Sequence, residues 1–349
     1  MAAIRRDPRT FDVCIVGSGA GGGMAAYELT RAGADVVMLE AGGPWNIYTD
    51  SAMLKWPYDT PRRGAATPER PFGEFDACIG GWEIEGEPYT RAAGTRFDWW
   101  RARMVGGRTN HWGRISLRFG PDDFRGKSLD GLGDDWPIAY DDLAPYYDRL
   151  DRLVGIFGSR EGLHNHPDGE FQPAPRPRCW ELMVKDAARR QNVTCISSRM
   201  SVLTQPLNGR PSCHYCGQCG RGCSVNANFS TTGVFIPPAQ ATGKLTLVTD
   251  AMAREVTLGS DGRATGVSYI DRKTGGDEHV QDLQDGLGIA VGLLAVPLPA
   301  GISVRLGLAG GPLQALTRRT RQRSEAAEWF GPVRHVDGAR RCARARRRW

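Results

Sequence analysis

The sequence is short of several things, and each shortage excludes a class of protein. Nothing in it reaches the roughly 18–20 uninterrupted apolar residues of a membrane helix. The nearest stretch, residues 289–308, is interrupted by Gly292, Pro297, Pro299, Gly301 and Arg305. The start, Met-Ala-Ala-Ile-Arg-Arg-Asp-Pro, lacks the apolar core of a secretory signal. The expectation is a chain with no transmembrane segment, cytoplasmic by default, with periplasmic export beside a signal-bearing partner as the alternative. Lysine is scarce, 5 against 40 arginines, as in a GC-rich gene. An excess of positive charge is missing from the body as well. Residues 281–349 hold 12 Arg and 5 acidic residues, whereas the remaining 280 residues carry 33 basic and 34 acidic groups. The net charge of +6 therefore belongs to the tail and gives no reason to expect nucleic acid as a partner. No internal repeat is present.

What is there suits a folded α/β protein. At 349 residues, 40% of them apolar, the chain can bury one large core or two smaller ones. Residues 11–16, Phe-Asp-Val-Cys-Ile-Val, read as a buried strand, residues 24–31 as a helix stopped by Gly33, and residues 35–39 as a second strand. Strand, tight turn, helix and parallel strand within some 30 residues make one βαβ unit. Further along, residues 140–154 and 179–191 have helical character, with Pro145 expected in the first turn of the former. Residues 245–248, 254–258 and 266–270 read as strands.

Between the first strand and helix stands Gly17-Ser-Gly19-Ala-Gly-Gly22. Gly17 permits a sharp turn, Gly19 lets backbone approach a pyrophosphate, and Gly22 lets helix pack closely on strand. Glu40, at the end of the second strand, can accept hydrogen bonds from ribose hydroxyls. A carboxylate there disfavours the 2′-phosphate of NADP, but these residues do not choose between NAD and FAD.

The choice comes from residues 103–124, which contain Val-Gly106-Gly107-Arg-Thr-Asn110-His111-Trp-Gly, and from Asp135-Trp-Pro-Ile followed by Tyr140-Asp-Asp-Leu-Ala-Pro-Tyr-Tyr. With the glycine turn, and with Asn228-Phe-Ser followed by residues 245–254, they resemble the glucose–methanol–choline (GMC) family of FAD oxidoreductases. The likeness is to its bacterial sugar and gluconate dehydrogenase subgroup and to pyranose oxidase. It covers residues 11 to about 280. It implies FAD as cofactor and oxidation of a CH–OH group in a sugar, sugar acid or other alcohol, with electrons leaving to an acceptor subunit or quinone. It also implies that Gly106 and Gly107 admit backbone close to the diphosphate or flavin, that Asn110 meets the polar edge of the isoalloxazine, and that Ala253 touches adenine through its backbone. His111 matches a histidine covalently joined to flavin in pyranose oxidase; the alternative is a His111 that packs or hydrogen-bonds beside a non-covalent flavin.

Nine cysteines include one cluster, Cys213, Cys216, Cys219 and Cys223, separated by glycines that permit tight turns. Four thiolates so spaced can wrap an iron–sulfur core or a zinc ion, or they can remain reduced or form a redox disulfide. The resemblance implies a three-iron cluster on Cys213, Cys219 and Cys223, with Cys216 as an added thiol.

The resemblance implies a late catalytic histidine paired with a second His or Asn, and this pair has no counterpart here. His335 lies in an unmatched segment, and His164, His166 and His279 read as surface residues, so the catalytic base is unknown. The expected architecture is a discontinuous Rossmann-like FAD domain, residues 11–119 and 226–280, with part of a cap or substrate domain at 120–225. Residues 281–349 form an aberrant Arg-rich tail, expected from a truncation or a shifted reading frame after about residue 280, or serving as an arm for an acidic partner. A non-catalytic FAD- or metal-binding fragment is the alternative to an enzyme.

Overall fold

The computed structural model describes residues 5–51, 80–81, 87, 89–97, 99, 101–282 and 289–291. The tail from residue 292 onward, His335 included, lies outside the described residues, as does Cys78.

The opening strand-like stretch is two strands. β1 (Arg5–Phe11) and β2 (Val13–Val16) are separated at Asp12, whose carboxylate accepts the Asp35 amide at 2.8 Å while its own amide bonds the Asp35 carbonyl at 2.8 Å. α1 (Ala20–Arg31) begins earlier than the apolar periodicity suggests, because Gly21, Gly22 and Gly23 are helical. β3 (Val36–Leu39) follows after Gly33, which holds φ at +96°. Four further strands come late in the chain: β4 (Leu245–Val248), β5 (Ala251–Leu258), β6 (Ala264–Asp271) and β7 (Asp277–Asp282). β8 (Ile289–Val291) ends the described chain.

These strands form two sheets. One is parallel throughout, in the order β8-β2-β3-β4, the pattern of a doubly wound nucleotide-binding sheet. The other has the order β1-β7-β6-β5, with β5, β6 and β7 an antiparallel meander and β1 parallel to β7. Strands buried on both faces must be apolar on both, and β2 and β3 read VCIV and VVML accordingly. On one face Cys14, Val37 and Leu39 meet Val267, Tyr269 and Val280 of the meander. On the other, Val13, Ile15, Val36 and Met38 pack under Ala26 of α1 and Ala239. Helix, parallel sheet and meander are thus three layers, an α/β fold. β8 pairs residue for residue with Cys14, Ile15 and Val16, so the sheet continues beyond the boundary expected at 280.

Residues 120–225 are an excursion of short helices and loops. α2 (Tyr140–Leu150) continues as a π-helical turn over Asp151–Gly155, which accounts for the longer periodicity. Pro145 is the sixth residue of α2, past the first turn, and the helix runs through it. α3 (Cys179–Arg190) buries none of its residues. Backbone bridges Ile115–Met200 and Val202–Asn228 stitch the excursion back to the nucleotide-binding region.

Candidate dinucleotide site and cysteine loop

The turn after β2 is open where a diphosphate must sit. Gly17 holds φ at +87°, and a Cβ added to Gly17 or Gly19 would meet nothing within 4 Å. Gly22 is the opposite case: its Cβ would lie 1.9 Å from the Gly17 carbonyl oxygen, so only glycine lets α1 close on the turn. Gly19 caps α1 without a side-chain hydrogen bond, and no acidic residue stands in the first turn. Unsatisfied amides and the positive end of the helix dipole therefore face the open turn. Gly17 turns the chain sharply and Gly22 lies against it.

Ser18, which sequence reasoning passed over, is the hub of the site. It is wholly buried, with 0% exposure. Its amide and hydroxyl donate to Glu40 Oε2 at 3.0 and 2.5 Å, and its hydroxyl accepts the Gly106 amide at 2.8 Å. Its carbonyl accepts the Thr231 hydroxyl at 2.9 Å. Thr231 in turn meets Thr109, whose hydroxyl bonds the Gly106 carbonyl at 2.6 Å. One serine thus ties together the glycine turn, the tip of β3, the Gly106-Gly107 loop and residue 231.

Glu40 sits at the tip of β3 as expected, but it is 7% exposed and its Oε1 accepts the Gly42 amide at 2.8 Å. With three donors on a carboxylate that offers about four acceptor positions, one acceptor position remains. The adjoining backbone is close-packed: a Cβ on Gly42 would lie 1.9 Å from the Met104 nitrogen. Ala251 donates to the Glu40 carbonyl at 2.9 Å, and Ala253 lies two residues further along β5, partly buried against the meander core.

Gly106 and Gly107 both have positive φ, +87° and +50°, and open a short 3-10 turn over Gly107–Asn110. A Cβ on Gly106 would press to 2.8 Å from the Asn110 amide nitrogen, whereas Gly107 faces open space. The Asn110 amide is already engaged: it donates to the Val105 carbonyl at 2.8 Å and accepts the Thr232 hydroxyl at 2.6 Å. It therefore braces this loop while lining a cavity shared with Trp45, Arg114, Cys223, Asn228 and Ser230. His111 follows it, half-buried. Burial first, then the positive charges of Arg108 and Arg114, push its pKa down to about 4, so the imidazole is neutral near pH 7. A neutral ring serves either of its two expected roles.

Arg114 is a second residue that sequence reasoning missed. It is 1% exposed, with φ at +63°, and its guanidinium reaches the Thr109 and Asn110 carbonyls at 3.3 and 3.0 Å and Asn228 Oδ1 at 3.2 Å. It also donates to the carbonyls of Trp112 and Cys219. Burial lowers it to about 10, which still leaves it charged.

The four cysteines share one loop, turned by Gly217 (φ +74°) and Gly222 (φ +115°), and all are free thiols. The Cys213 and Cys223 sulfurs accept the Tyr215 and Ala227 amides, each at 3.2 Å. Burial pushes the Cys213 and Cys219 thiols up, which favours the neutral form. Among the described residues, no three His, Cys, Asp or Glu side chains converge as a metal would require. As arranged, the thiols do not fit the expected iron–sulfur or zinc site.

Residues 84–297 match the family model described as GMC oxidoreductase, and residues 10–49 match one described as FAD binding domain. The chain belongs to the GMC oxidoreductase family. Its cofactor is FAD, and the open glycine turn at the head of α1 fits that group. The GMC match runs past residue 280 and takes in β8. The 6'''-hydroxyparomomycin C oxidase of Streptomyces lividus is 30% identical over 275 residues, which are 76% of this chain and 46% of that protein. The fructose dehydrogenase large subunit of Gluconobacter japonicus is 25% identical over 281 residues, 74% of this chain and 48% of that one. Among solved structures, the pyridoxine 4-oxidase from Mesorbium loti is 17% identical with a TM-score of 0.48, covering 80% of this chain and 48% of that one. This GMC chain spans about half the length of the curated relatives it matches. Among the described residues, no helix is long and apolar enough to cross a membrane.

Proposed function

We propose that this chain forms the cofactor-holding part of an FAD-dependent oxidoreductase that acts on the CH–OH group of a sugar, sugar acid or other alcohol. The observation that carries this reading is the Ser18 hub, which joins an open diphosphate turn to the Gly106-Gly107 loop in one buried network. Bound FAD supplies a hydride acceptor for the carbon that bears the hydroxyl. The chain's residues bind and orient it. The sharp turn at Gly17 and the open backbone at Gly19 cradle the diphosphate, with Gly22 letting α1 close behind them; the remaining acceptor position of Glu40 meets ribose, and Ala253 backbone meets adenine. Gly106 and Gly107 admit the flavin, with Asn110 and His111 at its edge. His111, neutral and partly desolvated, either joins the ring covalently or holds it by hydrogen bonding. The relatives support the substrate class: one is named an oxidase of a hydroxylated paromomycin and another a dehydrogenase of fructose. The latter is named a large subunit, which supports an acceptor subunit or quinone as the route by which electrons leave. In this reading the chain works in the cytoplasm, or in the periplasm when exported beside such a partner.

A second reading, an FAD-binding module without turnover, is favoured by the chain's covering only about half of each relative. One experiment separates them. The purified protein is examined for a flavin spectrum and then titrated anaerobically with a panel of sugars, sugar acids and alcohols. Bleaching by any of them establishes the enzyme. A flavin that none of them bleaches establishes the module, and protein that takes up no flavin overturns both.

A further inference from the structure

We propose that Arg114 is a positioning residue that joins the flavin-facing loop to the cysteine loop, so that occupancy of the FAD site is felt at residues 217–224. The coupling rests on the FAD reading above. Two loops more than 100 residues apart in sequence meet on one planar group. Arg114 Nη2 takes the carbonyls of Thr109 and Asn110 and the side-chain oxygen of Asn228, and Nη1 takes the carbonyls of Trp112 and Cys219. Asn228 extends the link, since its Nδ2 donates to the Gly222 carbonyl at 3.3 Å. Cys223 and Asn110 line the same cavity as Arg114, so the two loops are walls of one space.

The chemistry of the guanidinium explains why this link is stiff. A buried cation is costly unless its donors are satisfied, and here five acceptors surround it, none of them a carboxylate. Its fork is fixed, so moving any one carbonyl moves the others or breaks a bond that water cannot replace. Arg114 Nε is buried and makes no hydrogen bond, which leaves the group held by its outer nitrogens alone. When FAD orders residues 105–112, the positions of Thr109, Asn110 and Trp112 are fixed, and Cys219 and Gly222 are fixed with them. A staple that merely stabilised the fold would not transmit this change.

The test is amide hydrogen exchange on the full chain, with and without FAD. In the natural protein FAD is expected to slow exchange several-fold in both 105–112 and 217–224. In Arg114→Gln the slowing persists at 105–112 and disappears at 217–224, and Arg114→Lys does not restore it, because an ammonium cannot span the five acceptors. Asn228→Ala, which leaves Arg114 and its bond to the Cys219 carbonyl in place, keeps the slowing around Cys219 and loses it at 222–224, the part reached through Asn228 Nδ2, and carries the test should the arginine variants not fold. By reciprocity, iodoacetamide treatment of the loop thiols changes FAD affinity in the natural protein and no longer does so in Arg114→Gln. FAD-dependent protection at 105–112 alone in the natural protein overturns the coupling and leaves the cofactor reading intact. Variants that keep protection in both segments overturn it as well. No protection at 105–112 overturns the cofactor reading and the coupling together.

Discussion

Ser18 and Glu40 share one oxygen: the serine amide and hydroxyl both donate to Glu40 Oε2, at 3.0 and 2.5 Å, and both residues are buried. The serine lies in the glycine turn and the glutamate at the end of the neighbouring strand, so the bend proposed to take the diphosphate and the carboxylate proposed to take the ribose are one unit. The hydroxyl also accepts the Gly106 amide at 2.8 Å, which brings the flavin-side loop into register with both.

Ser18→Ala should therefore weaken cofactor binding without a ligand contact being removed. It leaves the buried Gly106 amide and one Glu40 bond unsatisfied, at about 1–3 kcal/mol. Urea unfolding should show that loss, and flavin titration should show affinity down by about tenfold or more. A variant with natural stability and natural FAD affinity would mean that the hub does not organise the site.

Gly19→Ala and Gly22→Ala should fail in different ways. A methyl on Gly19 meets no protein atom within 4 Å, and the residue has a φ of −66° that alanine adopts freely. That variant should unfold within about 0.5 kcal/mol of the natural protein yet lose at least tenfold in FAD affinity, because the space it fills is the diphosphate's. A methyl on Gly22 collides with the Gly17 carbonyl at 1.9 Å, so that variant should lose about 1–3 kcal/mol or more of stability as well. Circular dichroism melts beside flavin titrations distinguish the two patterns. A Gly19→Ala protein with undiminished FAD binding would exclude the turn as the diphosphate site.

Much of this was legible in the sequence, and what was not has a physical reason. The three glycines and Glu40 announce themselves because φ, close approach and strand periodicity are local properties. Ser18 was unread because its role depends on Gly106 and Thr231, which are distant in the chain and whose approach no periodicity encodes. Arg114 was unread because arginine is ordinarily a surface residue, and five carbonyl partners drawn from loops leave no pattern. The strand β8 lay hidden in an aperiodic Leu, Gly and Ala-rich stretch because three residues, Ile289–Val291, suffice to pair with β2. Proline ordinarily breaks a helix interior, which is the reason for expecting Pro145 in the first turn, yet α2 runs through it. The cysteine spacing suggested a metal site, but spacing along a loop does not set where the thiols point.

His111 should give the protein a pH-dependent stability. Its folded pKa is lowered from 6.5 to about 4 by burial, reinforced by Arg108 and Arg114. Between these values the unfolded chain binds the proton and the folded one does not. The contribution is therefore whole above about pH 6.5 and is lost as pH falls toward 4. At about 1.36 kcal/mol per unit the loss has a ceiling near 3 kcal/mol, reduced because the ring is partly open to solvent. Denaturation midpoints measured from pH 7.5 to about 4 should fall more steeply in the natural protein than in His111→Asn. Parallel curves for the two proteins would show that His111 does not titrate as its burial implies.

The excursion between the two nucleotide-binding segments depends on one buried ion cluster. Arg118 Nη2 contacts Asp148 at 2.6 Å and also Asp151, and Nη1 donates to the Tyr140 hydroxyl at 3.0 Å. Burial alone would lower this guanidinium, yet the bonds to Asp148, Asp151 and Tyr140 carry it above its ordinary value. Asp151 stands in the π-helical turn and accepts the Glu170 amide at 3.1 Å, so the pair fixes the end of α2 against the following loop. Arg118→Met strands a buried carboxylate and should cost about 3–5 kcal/mol, whereas adding Asp151→Asn removes the stranded charge and should recover part of it. Guanidinium unfolding of the single and double variants measures both. If Arg118→Met were within about 0.5 kcal/mol of the natural protein, the pair would be no more than a surface contact, whose median value is that small.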